Sequence, residues 1–258
     1  NGLTPKQFKI KDEELSLLIR RYTREAGVRQ LDRVLASLIR KTVLMILKEK
    51  KRSITITKTK IHEWLGKEIY DYGLKEKKNQ VGVVTGLAYT SFGGDVLPIE
   101  VTYFKGKGKF IVTGQLGDVM KESTEIALDY IKSNADKLNI DMAFFETHDI
   151  HIHVPEGAVP KDGPSAGITL TTALVSAITN KKVYANIAMT GEVTLRGNVL
   201  PIGGLKEKSM AAHRSGIDTI IFPKNNVKDL DDVPQVVKDS IEFIPVESVD
   251  QVIKKALV

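Results

Sequence analysis

Twelve consecutive residues, Ile168 to Thr179 (ITLTTALVSAIT), carry no charge and enough apolar side chains to form a buried helix. Just before it, Pro160-Lys161-Asp162-Gly163-Pro164-Ser165-Ala166-Gly167 sets one serine between small residues where a turn feeds the helix. Ser165 is therefore expected near a helix N-terminus, where unbonded N–H groups and the helix dipole favour a developing oxyanion. The backbone around Gly163, Pro164 and Ala166 is the natural place to look for the oxyanion donors.

A serine hydroxyl is a weak nucleophile and needs a neighbouring base, either histidine or a neutral lysine. Lys206-Glu207-Lys208 supplies two lysines on a helix expected over Leu205 to Ser215. There, position 208 shares a face with Leu205 and Ala212, while 206 falls beside Met210 and His213, so spacing favours Lys208 as the inward one. An ordinary lysine, with a pKa of about 10.4, is neutral less than about 0.1% of the time at pH 7. A basic role requires desolvation, and a fall of about three units corresponds to roughly 4 kcal/mol against the charged form.

Two other readings of the polar residues stand beside this one. Gly163-Pro164-Ser165-Ala166-Gly167 satisfies the G-x-S-x-G pattern of an α/β-hydrolase elbow, with His213 as the downstream histidine. An elbow wants a strand directly before its serine, and Val159 to Pro164 reads as a loop with two prolines. His151 and His153 alternate on a strand expected over Ile150 to Val154, and so share a face. They make two ligands of a metal site lacking a third, or a structural, loop-orienting pair.

The 258 residues, 42% of them hydrophobic, suffice for a sizeable core in one or two domains. No apolar run approaches the roughly 18 residues of a membrane helix, and the N-terminus has neither a secretory nor a transit pattern. The chain has no cysteine, which excludes disulfides, cysteine-ligated zinc and a cysteine nucleophile within it. The net charge of +6 sits at the front: residues 1–78 carry 20 Lys/Arg against 10 Asp/Glu, the remainder 18 against 22. That basic front is either a solvated surface or a face for DNA, nucleotide phosphates or an acidic subunit. A rival to catalysis follows from it, a binding module in which a basic helical segment and a nonhydrolytic α+β domain dock nucleic acid or protein.

Lys11 to Tyr22 and Leu31 to Leu47 place apolar residues at helical spacing, Ser53 to Thr57 alternates as a short strand, and Ile61 to Leu65 suggests a last small helix. The charged stretch Lys67 to Gln80 reads as a linker. From Val81 the pattern is strands first (Val81 to Ala88, Val96 to Phe104), then a long helix over Asp118 to Leu138. After the buried helix come strands at Ile187 to Met189 and Thr219 to Phe222, and a terminal helix over Val246 to Leu257. This order fits an α+β or mixed α/β domain. No G-x-x-x-x-G-K-[ST] phosphate loop occurs, and Gly106-Lys-Gly-Lys109 is a turn between strands.

The string from Val154 to Gly167, with Leu200-Pro-Ile-Gly-Gly-Leu-Lys-Glu-Lys208, Gly82 to Glu100, Thr113 to Ser123 and Met189 to Gly197, closely resembles the peptidase domain of the Lon family, ATP-dependent serine proteases. The resemblance covers essentially everything after Asn79. It implies Ser165 as nucleophile and Lys208 as base, with Thr190 holding the lysine and Asp162 bonding the active-site loop or modulating the lysine; an Asx-type turn is the alternative role for Asp162. It also implies an extended substrate paired along Pro155 to Asp162. The front of the chain is similar to the small helical lid of an AAA+ ATPase, in which Arg29, within Gly27-Val28-Arg29, senses nucleotide. The implied domains are a lid over 1–69, a linker over 70–79 and a Ser-Lys peptidase over 80–258. The implied activity is hydrolysis of unfolded or damaged proteins, with no cofactor for the hydrolysis itself. ATP and Mg would bind mainly to an ATPase core upstream of this chain, in a longer polypeptide forming a homohexameric ring. The resemblance further implies DNA as a partner, no membrane, and a cytoplasmic location, with the mitochondrial matrix as the alternative.

Overall fold

A computed structural model describes residues 2–25, 27–50, 52–70, 78–90, 93–155 and 161–258. It divides into two compact units, residues 1–73 and 74–258. Residues 71–77, most of the expected linker, lie outside the described residues.

In the first unit, α1 (Asp12–Tyr22), α2 (Arg29–Glu49) and α3 (Lys58–Leu65) close on a core of Leu18, Tyr22, Leu38, Ile54, Ile56 and Ile61. α2 begins at Arg29, two residues ahead of its first apolar position. The Glu25 carboxylate accepts the N–H groups of Gln30 (2.8 Å) and Leu31 (2.9 Å), groups that a helix start leaves without a partner. Burial pushes the Glu25 pKa up, but the backbone N–H groups of Gln30, Leu31 and Arg29 outweigh it and hold the carboxyl below its usual value. The expected strand shrinks to Ile54–Thr55 and pairs in parallel with Phe8–Lys9.

The second unit is built on a seven-stranded sheet of β1 (Val83–Thr90), β2 (Gly93–Lys105), β3 (Phe110–Thr113), β4 (His148–His153), β5 (Ile187–Met189), β6 (Thr219–Pro223) and β7 (Glu242–Val246). Its spatial order is β7-β6-β5-β1-β2-β4-β3, and β2 alone runs against the other six. Its longer helices are α4 (Asp118–Ser133), α5 (Gly167–Thr179), α6 (Leu205–Arg214) and α7 (Val249–Ala256). Alternate strand residues serve two cores, as a period of two requires. Val84, Ile187, Met189 and Ile221 pack with α4, α5 and α7, whereas Leu87, Ala188, Ile220 and Phe222 pack with Leu205 and Ala212 of α6. The unit is thus a helix–sheet–helix sandwich, the mixed α/β architecture expected.

α5 is buried at every position from Gly167 to Ala177. Its hydroxyls do not oppose that burial, because each finds an acceptor: Thr171 donates to Gly167 O (2.8 Å), Thr172 to Ile168 O (2.7 Å) and Thr169 to Met189 O (3.3 Å).

Two boundaries differ from expectation. α4 stops at Ser133 and not at Leu138: Asn134 leaves helical geometry with ψ 22 and turns its side-chain amide onto Tyr130 O (2.9 Å). Val246 belongs to β7, and the terminal helix starts only at Val249. The Gly106–Lys109 segment is the β2–β3 turn, held by the Asp149 carboxylate, which accepts Lys107 N–H (2.7 Å) and Lys109 N–H (2.9 Å). Those two bonds, Lys109's before Lys107's, hold the Asp149 pKa below its usual value against the burial that raises it.

Candidate active site

Ser165 lies in a single helical turn, Pro164–Ala166, that runs directly into α5. The two glycines around it have different jobs. Gly163 has φ +122, a conformation that a side chain would strain, whereas a Cβ on Gly167 would sit 2.7 Å from Val193 N. The turn is tied to the end of β5: Gly191 N–H donates to Ser165 O (2.8 Å) and Ile168 N–H to Gly191 O (3.0 Å). Thr190 follows the last residue of β5, and its own N–H donates to Ile221 O on β6 (3.1 Å).

Lys208 is on α6, against the opposite face of the sheet, and is 2% exposed. Its neighbours on that helix face, Leu205 and Ala212, are buried, while Lys206 and Met210 face solvent. The two chemical groups come from opposite faces of the sheet and meet beyond the carboxyl end of β5. Lys208 Nζ lies 3.0 Å from Ser165 Oγ and 3.0 Å from Thr190 Oγ1. Burial alone pulls the Lys208 pKa down from 10.5 to about 8.

The hydrogen-bond inventory sets the direction of these contacts. Thr190 has one hydroxyl proton, and it goes to Ser165 O (3.2 Å), so Thr190 can only accept from the amine. A neutral Lys208 then gives one N–H to Thr190 and keeps its lone pair for the Ser165 proton. The arrangement can remove that proton without any histidine. His213 sits in the last turn of α6, and Asp162 and Gly163, the described residues directly before the Ser165 turn, form no strand, unlike a hydrolase elbow.

Asp162 bonds both the active-site turn and the start of α4. Its Oδ1 accepts the N–H of Met120 (3.0 Å), in the first turn of α4, and that of Gly163 (2.9 Å). The N-cap of α4 is Gly117, and a Cβ there would lie 2.4 Å from Asp162 Cγ: the carboxylate occupies the place of the missing cap side chain. A backbone bond from Gly117 N–H to Lys161 O (2.7 Å) fastens the same strap. Asp162→Ala is expected to lower stability by about 1–2 kcal/mol and to slow turnover, while Asp162→Asn, which keeps the acceptor, recovers most of both. An unchanged melting temperature in the alanine variant would refute the capping role.

Of the expected oxyanion donors, the Gly163 N–H is committed to Asp162; just beyond them, the N–H groups of Gly167 and Ile168 go to Pro164 O and Gly191 O. Pro164 has no N–H to give. Pro155 is half-buried just past β4, and the remainder of the expected substrate strap, residues 156–160, lies outside the described residues. His151 Nε2 (2.9 Å) and His153 Nδ1 (2.7 Å) both meet the Thr113 hydroxyl, and among the described residues no group of three or more metal-ligating side chains gathers. Arg29 is exposed at the first residue of α2. No helix among the described residues is long and apolar enough to cross a membrane.

Sequence comparison defines the class first: residues 55–258 match the model of the Lon protease (S16) C-terminal proteolytic domain, and residues 1–55 that of the Lon protease AAA+ ATPase lid domain. The protein is thus a serine peptidase domain preceded by an ATPase lid. All of the chain is 54% identical to Lon protease 1 of Bacillus subtilis over 258 residues, 53% to Lon protease of Vibrio parahaemolyticus and 51% to Lon protease 1 of Myxococcus xanthus. The chain belongs to the Lon protease family. It spans about a third of the length of these curated relatives, 33%, 33% and 32% respectively.

Proposed function

We propose that the chain hydrolyses peptide bonds with Ser165 as nucleophile and neutral Lys208 as general base. The observation that carries this reading is the buried amine 3.0 Å from the serine hydroxyl, with no carboxylate among the causes of its lowered proton affinity. Lys208 takes the Ser165 proton as Oγ attacks the carbonyl, then returns it to the leaving amine; water repeats the cycle on the acyl-enzyme. Thr190 keeps the lone pair aimed at Ser165. The N–H groups of Ser165 and Ala166, at the start of the turn that runs into α5, are the donors we assign to the oxyanion.

In a chain of the relatives' length, the substrates we assign are unfolded or damaged proteins, delivered in the cytoplasm by an ATP-driven unfoldase ring of six subunits. Residues 1–69 serve as its lid and 80–258 as its peptidase. ATP and Mg2+ would be held mainly by residues outside this chain. The exposed Arg29, at a helix start whose backbone N–H groups Glu25 already engages, is the group that this chain would offer to nucleotide.

A fluorogenic peptide tests the reading without ATP. Hydrolysis is expected to rise with pH through about 8, as Lys208 loses its proton, and to disappear in Ser165→Ala. A rate that the Ser165 substitution leaves intact would refute it.

A further inference from the structure

The loop from Pro201 to Gly204 sets the position of Lys208, because it leads straight into the first turn of α6, where Lys208 N–H donates to Gly204 O (3.0 Å). Little within the loop fixes it. It contains two glycines, Gly204 takes a left-handed φ of +71, and the helix has no side-chain cap. An open cleft of about 550 Å³ borders it, lined by Pro201, Ile202, Asn225, Asn226, Lys228 and Asp229, so packing does not hold it on that side.

A buried side-chain amide does. Asn226, 3% exposed in the 3-10 segment after β6, accepts Ile202 N–H at Oδ1 (2.9 Å) and donates from Nδ2 to Ile202 O (2.8 Å). Its second Nδ2 proton goes to Asp229 Oδ2 (2.5 Å), so the amide has one orientation that satisfies every group. The segment carrying Asn226 follows β6, whose Ile221 O accepts the Thr190 N–H. One stretch of chain, residues 221–226, thus registers both the hydroxyl that the Lys208 amine bonds and the loop that launches its helix.

We propose that Asn226 is a positioning residue for peptide hydrolysis, clamping the Ile202 peptide so that α6 delivers the Lys208 amine between Ser165 and Thr190. This rests on the Ser165–Lys208 reading. Without the clamp the loop can slide into the cleft, and a displacement of about 1 Å is enough to cost on the order of 100-fold in turnover. A displaced amine also becomes hydrated.

The experiment measures peptide hydrolysis from pH 6 to 10 by the wild-type chain, Asn226→Ala, Val233→Ala and Lys208→Met, with melting temperatures alongside. Val233 is buried in the apolar cluster of Leu205 and Ala212 and makes no hydrogen bond to Ile202, so its truncation reports lost packing with the clamp intact. Asn226→Ala is expected to lose about 100-fold in kcat with KM within about twofold, and to move the pH midpoint upward from about 8, whereas Val233→Ala keeps the wild-type midpoint. Asn226→Leu, of similar volume and without polar atoms, loses both bonds to Ile202 while filling the space, shows the same shift and loss, and serves if the alanine variant does not fold. An Asn226 variant that loses melting temperature but keeps kcat and midpoint overturns the proposal. Activity retained by Lys208→Met overturns the underlying reading instead.

Discussion

Lys208→Met is expected to abolish peptide hydrolysis and, at neutral pH, to make the folded chain more stable. The two effects share one cause. The amine is nearly water-excluded, and its proton affinity falls from 10.5 to about 8 on folding, which corresponds to about 3 kcal/mol of cost to the protonated native state. Between pH 8 and 10.5 the unfolded chain binds the additional proton, so wild-type stability rises with pH across that window. Below pH 8 the full cost is present, and above pH 10.5 it has gone. Methionine fills similar space without a charge, so the variant should gain most below pH 8 and little above 10.5. Denaturant unfolding at pH 7 and pH 11 measures this directly. A variant less stable than wild type at pH 7 would mean that the native lysine is not held in an unfavourable setting.

Gly94→Ala should have the next largest effect. A Cβ at Gly94 would lie 1.9 Å from Glu207 O and 2.9 Å from Lys208 N, both backbone atoms of α6, and ordinary contact starts near 3.4 Å. The helix must therefore retreat by about 1.5 Å, at the position carrying the base, while the Arg214 guanidinium still anchors its far end to Gly94 O (2.9 Å). Overpacking of this kind costs about 1–3 kcal/mol, and the displaced amine costs on the order of 100-fold or more in kcat. Gly27→Ala, at a position where a Cβ meets nothing within 4 Å, should change neither. Wild-type kcat in Gly94→Ala would show that α6 is not held as tightly against β2 as its contacts indicate.

What could be read from the chain and what could not divides by the range of the contacts. α5 was legible because an uncharged apolar run permits few alternatives, and the inward choice of Lys208 over Lys206 followed from helical period. Thr190 carried no local signal beyond a turn; its place depends on β5 ending beside α5 and β6. Asn226, 24 residues from Ile202, and Gly94, more than a hundred from Glu207, act through approaches that leave no periodicity behind. Asp162 was noticed, but its service as the cap of α4, 42 residues away, was not, although a glycine at the N-cap of that helix is a signal that a cap must come from elsewhere. The missed β7 has a plain reason. Val246, Val249, Val252, Ile253 and Ala256 keep helical spacing across the strand–helix junction, so periodicity carried the expected helix back to Val246, which pairs with Pro223 of β6, while Glu242 to Pro245 carried no strand expectation.

The central claim is that a desolvated, neutral Lys208 activates Ser165, and the pH dependence of Ser165 acylation by a serine-directed fluorophosphonate tests it most directly, because the reagent bypasses peptide binding and product release. The account predicts a second-order rate that rises through a single ionisation near pH 8, levels above it, and is lost in Lys208→Met. A rate that is flat with pH, rises only near the ordinary lysine value, or survives the methionine substitution would contradict it.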